Sequence, residues 1–208
     1  MKDIERFRKR AIFHHWWIVL CSFLLAVTGL FMFMETLSPG AMGGYSRIIH
    51  RFAALGFVAV PIIYFVLNPK TSLEWLKEAF TWNTDDIGWL QAAPEYYFGG
   101  PEENMPPQGR SNTGQKLWMV VVIITGVVFV ITGAVMMFSG VSGVAVILHD
   151  IAFIAGGAMF LVHFFLAVFH PRMSEAMRSM ITGKASEDYV KSHHGKWYEE
   201  VVAKGEQS

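Results

Sequence analysis

Four of the eight histidines in the 208-residue chain lie inside or at the edge of long apolar stretches: His15, His50, His149 and His163. Polar side chains are costly in such surroundings and tend to mark function. Imidazole can ligate a metal, carry a proton or make a structural hydrogen bond. A single histidine could be explained by a structural hydrogen bond alone, so a functional interpretation depends on the relative placement of the four.

His149 and His163 are 14 residues apart in one apolar stretch. In an α-helix this separation is about 1,400° of rotation, within roughly 40° of a whole number of turns, so both side chains share a face. The rise between them is about 21 Å. Gly156 lies midway on the same stripe, where a missing side chain would admit a flat macrocycle or a neighbouring helix. The spacing predicts two ligands at two depths.

The elements that must position these histidines are transmembrane helices, each needing about 20 apolar residues. The apolar stretch at the N-terminus follows basic residues like a signal peptide, but its length favours a retained helix. Pro61 predicts a kink in the second helix. We predict an all-α integral membrane protein, a single domain over 1–208. Its helices are expected at about 16–34, 50–67, 117–138 and 144–169.

Lysine and arginine are distributed unevenly around these helices. Basic residues in loops favour the cytoplasmic side of the membrane. Five precede the first helix, six follow the fourth and four lie in the middle connection, whereas the other two connections hold only Arg47, with Arg51 just inside the second helix. We therefore predict cytoplasmic N- and C-termini, a cytoplasmic loop at 68–116 and a cytoplasmic tail at 171–208.

Short connections at Leu37–Ser46 and Ser139–Gly143 predict antiparallel neighbours and an up-down four-helix bundle. The middle connection is much longer. Within it Thr71–Phe80 resembles a short amphipathic helix, and the remainder is an acidic, aromatic and proline-rich stretch without a strong secondary-structure signal. It is too aromatic for disorder, so we expect it to fold at the membrane surface or against a partner.

The predicted topology sorts the four histidines by depth. His15 and His163 lie toward the cytoplasm, whereas His50 and His149 lie toward the periplasm. Two pairs of imidazoles from facing helices are what two bis-histidine b-type haems require. Gly29, which is 14 residues beyond His15, leaves the first helix bare near the outer pair.

Other residues near these pairs have two explanations each. Gly126 and Gly133 share a face of the third helix, where they leave room for a cofactor or serve small-residue helix packing. Arg47 and Arg51 flank His50 and either pair with haem propionates or anchor the helix at the interface. For His14 and His170 interfacial solvation is favoured over a role in a quinone or proton path, and no metal role is assigned to the two tail histidines, His193 and His194.

Composition excludes several classes of function. The single cysteine, Cys21, rules out an intrachain disulfide, a cysteine-ligated iron–sulfur cluster and covalent haem attachment through C-x-x-C-H. Zero net charge without a clustered basic face argues against nucleic acid as a partner. The polar tail Met173–Tyr198 is expected to be helical, with Trp197 and Tyr198 at the membrane interface.

Several motifs together resemble the gamma (cytochrome b) subunit of membrane-bound formate dehydrogenases, a di-haem cytochrome b family of the bacterial inner membrane. They are His15-Trp16, Arg47-Ile-Ile-His50, Asn112-Thr-Gly-Gln-Lys116, the His149 and His163 pair, Met180-Ile-Thr-Gly-Lys184 and His193-His194-Gly-Lys-Trp-Tyr198. The resemblance covers nearly the whole chain. The middle connection, with Pro106–Gly109, is longer than in the best-known member of the family.

The resemblance implies two haem b groups, with His50 and His149 on the periplasmic-side iron and His15 and His163 on the cytoplasmic-side iron. It also implies that Asn112, Gly114 and Gln115 help to form a site for menaquinone or ubiquinone near the inner haem. The implied partners are an iron–sulfur (beta) subunit and a molybdenum or tungsten catalytic (alpha) subunit.

Three alternatives remain open at the level of sequence. Related cytochromes serve nickel–iron hydrogenases or other iron–sulfur oxidoreductases. A haem-free membrane anchor would use the same histidines only for hydrogen bonds. A transporter with histidine proton relays is disfavoured because mid-membrane carboxylates and paired broken helices are lacking in the sequence.

Overall fold

The computed structural model describes residues 2–37, 43–203 and 205, which are mostly helical. The helices are α1 Lys9–Leu37, α2 Gly43–Leu67, α3 Pro69–Phe80, α4 Thr84–Tyr97, α5 Thr113–Phe138, α6 Gly143–Phe164, α7 Ser174–Thr182, α8 Glu187–His193 and α9 Gly195–Ala203. Two short strands, β1 Asp3–Glu5 and β2 Lys184–Ser186, pair with each other. The chain divides into two compact units, Phe7–Leu73 and a second unit of Met1–Arg6 with Glu74–Ser208.

Among the described residues, four helices are long and apolar enough to cross a membrane, which confirms the predicted all-α membrane fold. The spans are Lys9–Met34, Gly44–Leu67, Thr113–Phe138 and Gly143–Phe169. Large apolar side chains such as Phe52 and Ile154 are exposed on their outer faces, as expected for helices surrounded by lipid. α1 begins at Lys9, well before the predicted start at Trp16. The prediction followed hydropathy, which marks only the apolar stretch, whereas the helical backbone also includes the polar residues before it.

Each pair of spanning helices forms an antiparallel hairpin. In the first, Trp17 of α1 donates a hydrogen bond from its indole nitrogen to the carbonyl oxygen of Gly56 on α2, 3.3 Å away. In the second, Thr125 of α5 lies against Gly156 of α6. The predicted turn at Leu37–Ser46 falls partly outside the described residues, whereas 139–143 is a turn with Gly140 at a φ of +90°.

The middle connection contains more helix than the sequence predicted. The expected helix at Thr71–Phe80 is present as α3, but the acidic aromatic stretch that follows is also helical, as α4. Asn83 caps α4: its side-chain oxygen accepts from the backbone nitrogens of Asp85 and Asp86, and the Asp86 carboxylate accepts from the nitrogen of Asn83. This reciprocal capping box is the local cause of the helix start.

The tail folds with the N-terminal arm, residues 2–6, into a small layer that consists of the two strands and the tail helices. β1 pairs antiparallel with β2, and Ile4, Ala185, Tyr189, Val190 and Val201 form a buried apolar cluster. Trp197 and Tyr198, which we expected at the membrane interface, instead pack against this cluster. The tail is helical as expected, and its helices are part of a folded layer because its apolar residues find partners on the N-terminal arm.

Candidate functional site

His50 of α2 is held by α1 of the same hairpin. Its Nδ1 lies 2.9 Å from the hydroxyl oxygen of Thr28. The same hydroxyl donates to the carbonyl oxygen of Leu24, 2.6 Å away, one turn earlier on α1. His50 Cε1 lies over Gly29, where an added Cβ would be 3.6 Å from it, so the glycine keeps larger side chains away from the ring.

His149 of α6 has the same surroundings in the second hairpin. Its Nδ1 lies 2.8 Å from the hydroxyl oxygen of Thr132 on α5, and that hydroxyl donates to the carbonyl oxygen of Val128 at 2.6 Å. An added Cβ at Gly133 would lie 4.0 Å from His149 Cε1. A threonine–glycine pair on one helix thus faces a histidine on the next helix in both hairpins.

The other two histidines have aromatic neighbours. The ring of His163 lies flat on that of Trp118 of α5, with centroids 4.7 Å apart and planes 5° apart. A turn of π-helix, Phe165–Phe169, begins two residues after His163, and such turns are frequent at functional sites. His15 is half-buried on α1 and meets Trp16 edge-on, with ring centroids 5.4 Å apart.

The two hairpins space their histidines equally along the helix axes. In the first, His50 lies beside Gly29, which follows His15 on α1. The sequence separation from His15 to Gly29 equals that from His149 to His163 on α6. Each hairpin therefore carries two imidazoles about 21 Å apart along its axis. The two imidazoles of each hairpin are nitrogen donors of the kind that ligate haem iron.

Gly156, midway between His149 and His163, serves helix packing. An added Cβ there would meet the Thr125 hydroxyl oxygen at 3.5 Å. Of the two neighbours expected beside this glycine, a macrocycle or a helix, the structure therefore shows the helix α5. His14 and His170, for which interfacial solvation was favoured, have protein neighbours instead. His14 stacks on Tyr64 with ring centroids 4.6 Å apart, and Nε2 of His170 lies 3.2 Å from the carbonyl oxygen of Tyr97.

The segment Asn112–Gln115 starts α5 with a capping box. The Asn112 side-chain oxygen accepts from the Gln115 nitrogen at 2.9 Å, and the Gln115 side-chain oxygen accepts from the Asn112 nitrogen at 3.0 Å. Gly114 lies under the Trp89 ring of α4, where an added Cβ would be 2.8 Å away. The two amide oxygens are thus engaged at the helix start. Arg47 and Arg51 are exposed along α2 on either side of His50.

A buried ion pair beside this helix start was missed by the sequence analysis. Lys116 of α5 donates to both carboxylate oxygens of Asp86 at 2.9 and 3.0 Å, and Thr113 donates to the same carboxylate at 2.8 Å. Burial alone would raise the pKa of Asp86, but the bonds from Lys116 and Thr113 outweigh it and lower that pKa. The pair borders a cleft of about 460 Å³. The local sequence Asn83-x-x-Asp86 indicates only that Asp86 caps α4.

His194 in the tail is fully buried. Its Nδ1 donates to the carbonyl oxygen of Gly109 at 2.8 Å, and its Nε2 is buried without a hydrogen-bond partner among the described residues. Burial, together with the nearby positive charge of Arg6, holds the pKa of His194 well below its ordinary value of 6.5. The folded layer therefore favours the neutral form of this imidazole.

This burial predicts a pH dependence of the layer. Because the folded pKa is lowered, the unfolded chain binds a proton first as pH falls below about 6.5, and stability is lost at about 1.4 kcal/mol per pH unit until the folded pKa is reached. Replacement of His194 by Asn, which can keep the donor to Gly109, is expected to remove this pH-dependent loss of stability. The loss is measured by the hydrogen-exchange protection of α8 at pH 7.5 and 5.5, corrected for intrinsic exchange rates. Equal changes in protection in the wild-type chain and the variant would contradict the prediction.

Comparison with known proteins places the chain among membrane cytochromes. Residues 6–183 match the family model described as prokaryotic cytochrome b561. The chain is 28% identical over 202 residues to the cytochrome b556(Fdn) subunit of the nitrate-inducible formate dehydrogenase of Escherichia coli K12, covering 90% of this chain and 86% of that protein. It is 27% identical to the formate dehydrogenase cytochrome b556 subunit of Haemophilus influenzae, covering 98% and 86%. Identity to the Escherichia coli K12 cytochrome b556(fdo) subunit is 27%, covering 95% and 93%.

Proposed function

The chain belongs to the prokaryotic cytochrome b561 family, and from that premise we propose that it relays electrons from an iron–sulfur partner subunit of a formate dehydrogenase-like complex to quinone. It is a multi-pass protein of the bacterial inner membrane and, as a cytochrome b, an electron-transport protein that uses haem b. The observation that carries the proposal is the equal spacing of the histidines in the two hairpins.

Four imidazoles at two levels suit two haems. His50 and His149 would hold the iron of the periplasmic-side haem, and His15 and His163 that of the cytoplasmic-side haem. When bound, haem b supplies a one-electron carrier whose potential depends on its axial ligands, burial and nearby charge. Arg47 and Arg51, exposed beside His50, would provide positive charge for propionates at the outer end.

The distribution of lysine and arginine supports cytoplasmic termini and a cytoplasmic 68–116 connection. The pairing of β1 with β2 requires the N-terminal arm and the tail to lie on the same side of the membrane. Both would then lie on the cytoplasmic side, where the cleft beside Asp86 and Lys116 lies at the start of α5.

The quinone, menaquinone or ubiquinone, would bind at the start of α5. The amide oxygens of Asn112 and Gln115 are used in the capping box, so their NH₂ groups are the donors that would bind a quinone carbonyl. Gly114 lets Trp89 approach the helix start closely and shapes this surface. Quinone reduction takes up protons, and the acidic side chains of the neighbouring cleft would deliver them from the cytoplasm.

The partners would be an iron–sulfur (beta) subunit and a molybdenum or tungsten catalytic (alpha) subunit. The names of the relatives support formate as the primary donor. Membranes that contain the full complex provide the test. Formate is expected to reduce the haem, which is followed by its b-type absorption bands. A quinone analogue added in the same assay is expected to reoxidise it.

The same assay separates the alternatives. Hydrogen in place of formate should leave the bands oxidised, and reduction by hydrogen alone would reassign the chain to a nickel–iron hydrogenase. Membranes without the partner subunits are the control and should respond to neither donor. Purified chain without b-type absorption would instead identify a haem-free anchor.

A further inference from the structure

Two threonines, one in each hairpin, contact a proposed haem ligand in the same way. Thr28 meets Nδ1 of His50 at 2.9 Å, and Thr132 meets Nδ1 of His149 at 2.8 Å. Both threonines are buried, with 5% and 4% of their surface exposed. The arrangement occurs twice, on different helices at different places in the chain, so it has two independent observations behind it.

The hydroxyl protons decide which nitrogen of each ring carries hydrogen. A threonine hydroxyl has one proton to donate, whereas a backbone carbonyl can only accept. The 2.6 Å contacts to the carbonyls of Leu24 and Val128 therefore take the protons of Thr28 and Thr132. What each hydroxyl oxygen offers to the imidazole is a lone pair, so Nδ1 of the imidazole must be the donor.

A neutral imidazole that donates from Nδ1 has its lone pair on Nε2, and the partner of one ring nitrogen determines the state of the other. Such outer partners orient a ligating histidine and raise its basicity. We propose that Thr28 and Thr132 are positioning residues that hold His50 and His149 as the tautomer with a basic Nε2 for the iron. This inference rests on the proposed function, which assigns both histidines to one haem.

The direction of the effect on redox potential follows from ligand basicity. A more basic imidazole stabilises ferric over ferrous iron, so both threonines lower the potential at the outer histidine pair. His163, of the inner pair, lies against Trp118 instead. The threonines thus act in the sense that favours electron flow from the outer to the inner side.

The test replaces each threonine by valine, which has the same shape without the hydroxyl, in the full chain assembled with its partner subunits. Thr28→Val and Thr132→Val are each expected to raise the midpoint potential of the same haem and to leave the other unchanged. Loss of such an outer partner weakens metal binding by about 10–100-fold. Each tenfold loss confined to the ferric state raises a one-electron potential by about 59 mV. Redox titration of the b-type absorption bands and electron paramagnetic resonance of the ferric haems provide the readout.

Two sets of variants separate this role from a structural one. Thr28→Ser and Thr132→Ser restore a hydroxyl and should return the potential toward the wild-type value. Thr125→Val is the matched control, because Thr125 makes the same bond to its own helix, to the carbonyl of Val121 at 2.7 Å, but faces Gly156 rather than a histidine. Its two haems should keep their potentials. Thr28→Ala and Thr132→Ala repeat the test where valine prevents accumulation of the chain.

Wild-type potentials in both hydroxyl-free variants would overturn the inference and leave the proposed function standing. The same potential change in Thr125→Val, or no recovery with serine, would also overturn it, because helix packing would then explain the shift. A wild-type chain without haem would overturn the proposed function itself.

Discussion

Replacement of His149 by alanine is expected to remove one of two haems from the purified chain, and replacement of His163 to remove the other. In the proposed arrangement each iron takes one imidazole from each of two helices, so the loss of one ligand would open that site without changing the other site, about 21 Å away along the axis. Haem content should fall from two to one per chain in each variant. In the assembled complex, electron transfer from formate to quinone should fall to background, because each haem is a necessary link in the proposed relay.

The pairing can be read from which haem disappears. His50→Ala should lose the same spectral component as His149→Ala, and His15→Ala the same one as His163→Ala. Reduced-minus-oxidised spectra with haem quantification measure both content and identity. His14→Phe is the matched control: it removes a neighbouring imidazole but keeps a ring to stack on Tyr64, so both haems should remain. Loss of the same component from His149→Ala and His163→Ala would contradict the two-level assignment.

The spanning helices could be predicted from sequence because each is encoded locally, in a run of apolar residues of sufficient length. The histidine spacing was also readable, since a sequence separation within one helix translates directly into an angle and a rise. Thr28 and Thr132 were not singled out, although each immediately precedes a glycine that was. A buried threonine bonded to its own helix looks the same in sequence whether or not a histidine lies opposite.

The elements outside the four spanning helices were harder to predict, because long-range contacts determine them. β1 is very short and forms only because Lys184–Ser186, near the other end of the chain, pairs with it. Asp86 is one of two adjacent aspartates in the sequence, and apart from its spacing from Asn83 nothing local marks it as the buried one of the two. Their surroundings differ sharply in the structure: Asp86 is buried against Lys116, whereas Asp85 forms a half-exposed ion pair with Lys196.

That contrast predicts a large difference in stability between two adjacent substitutions. Asp86→Asn leaves the Lys116 ammonium buried without its counter-charge, a change that typically costs about 3–5 kcal/mol. It also weakens the cap of α4, since the Asp86 carboxylate accepts from the Asn83 nitrogen. Asp85→Asn removes a half-exposed pair, for which about 0–1 kcal/mol is usual. Thermal unfolding of the two variants in the same detergent measures the difference, and equal melting temperatures would contradict it.

The stability that Asp86→Asn loses is attributed to the charge of the carboxylate rather than to the shape of the side chain. Lys116→Met combined with Asp86→Asn removes both charges and should recover most of the stability that Asp86→Asn alone loses, because replacing a whole buried pair is often nearly neutral. Acid provides a second check. The folded pKa of Asp86 lies below its ordinary value of 3.8, so the stability it contributes is complete above about pH 4 and is lost as pH falls through the folded pKa. The double variant should lack that acid-dependent step, and its persistence there would assign the step to another carboxylate.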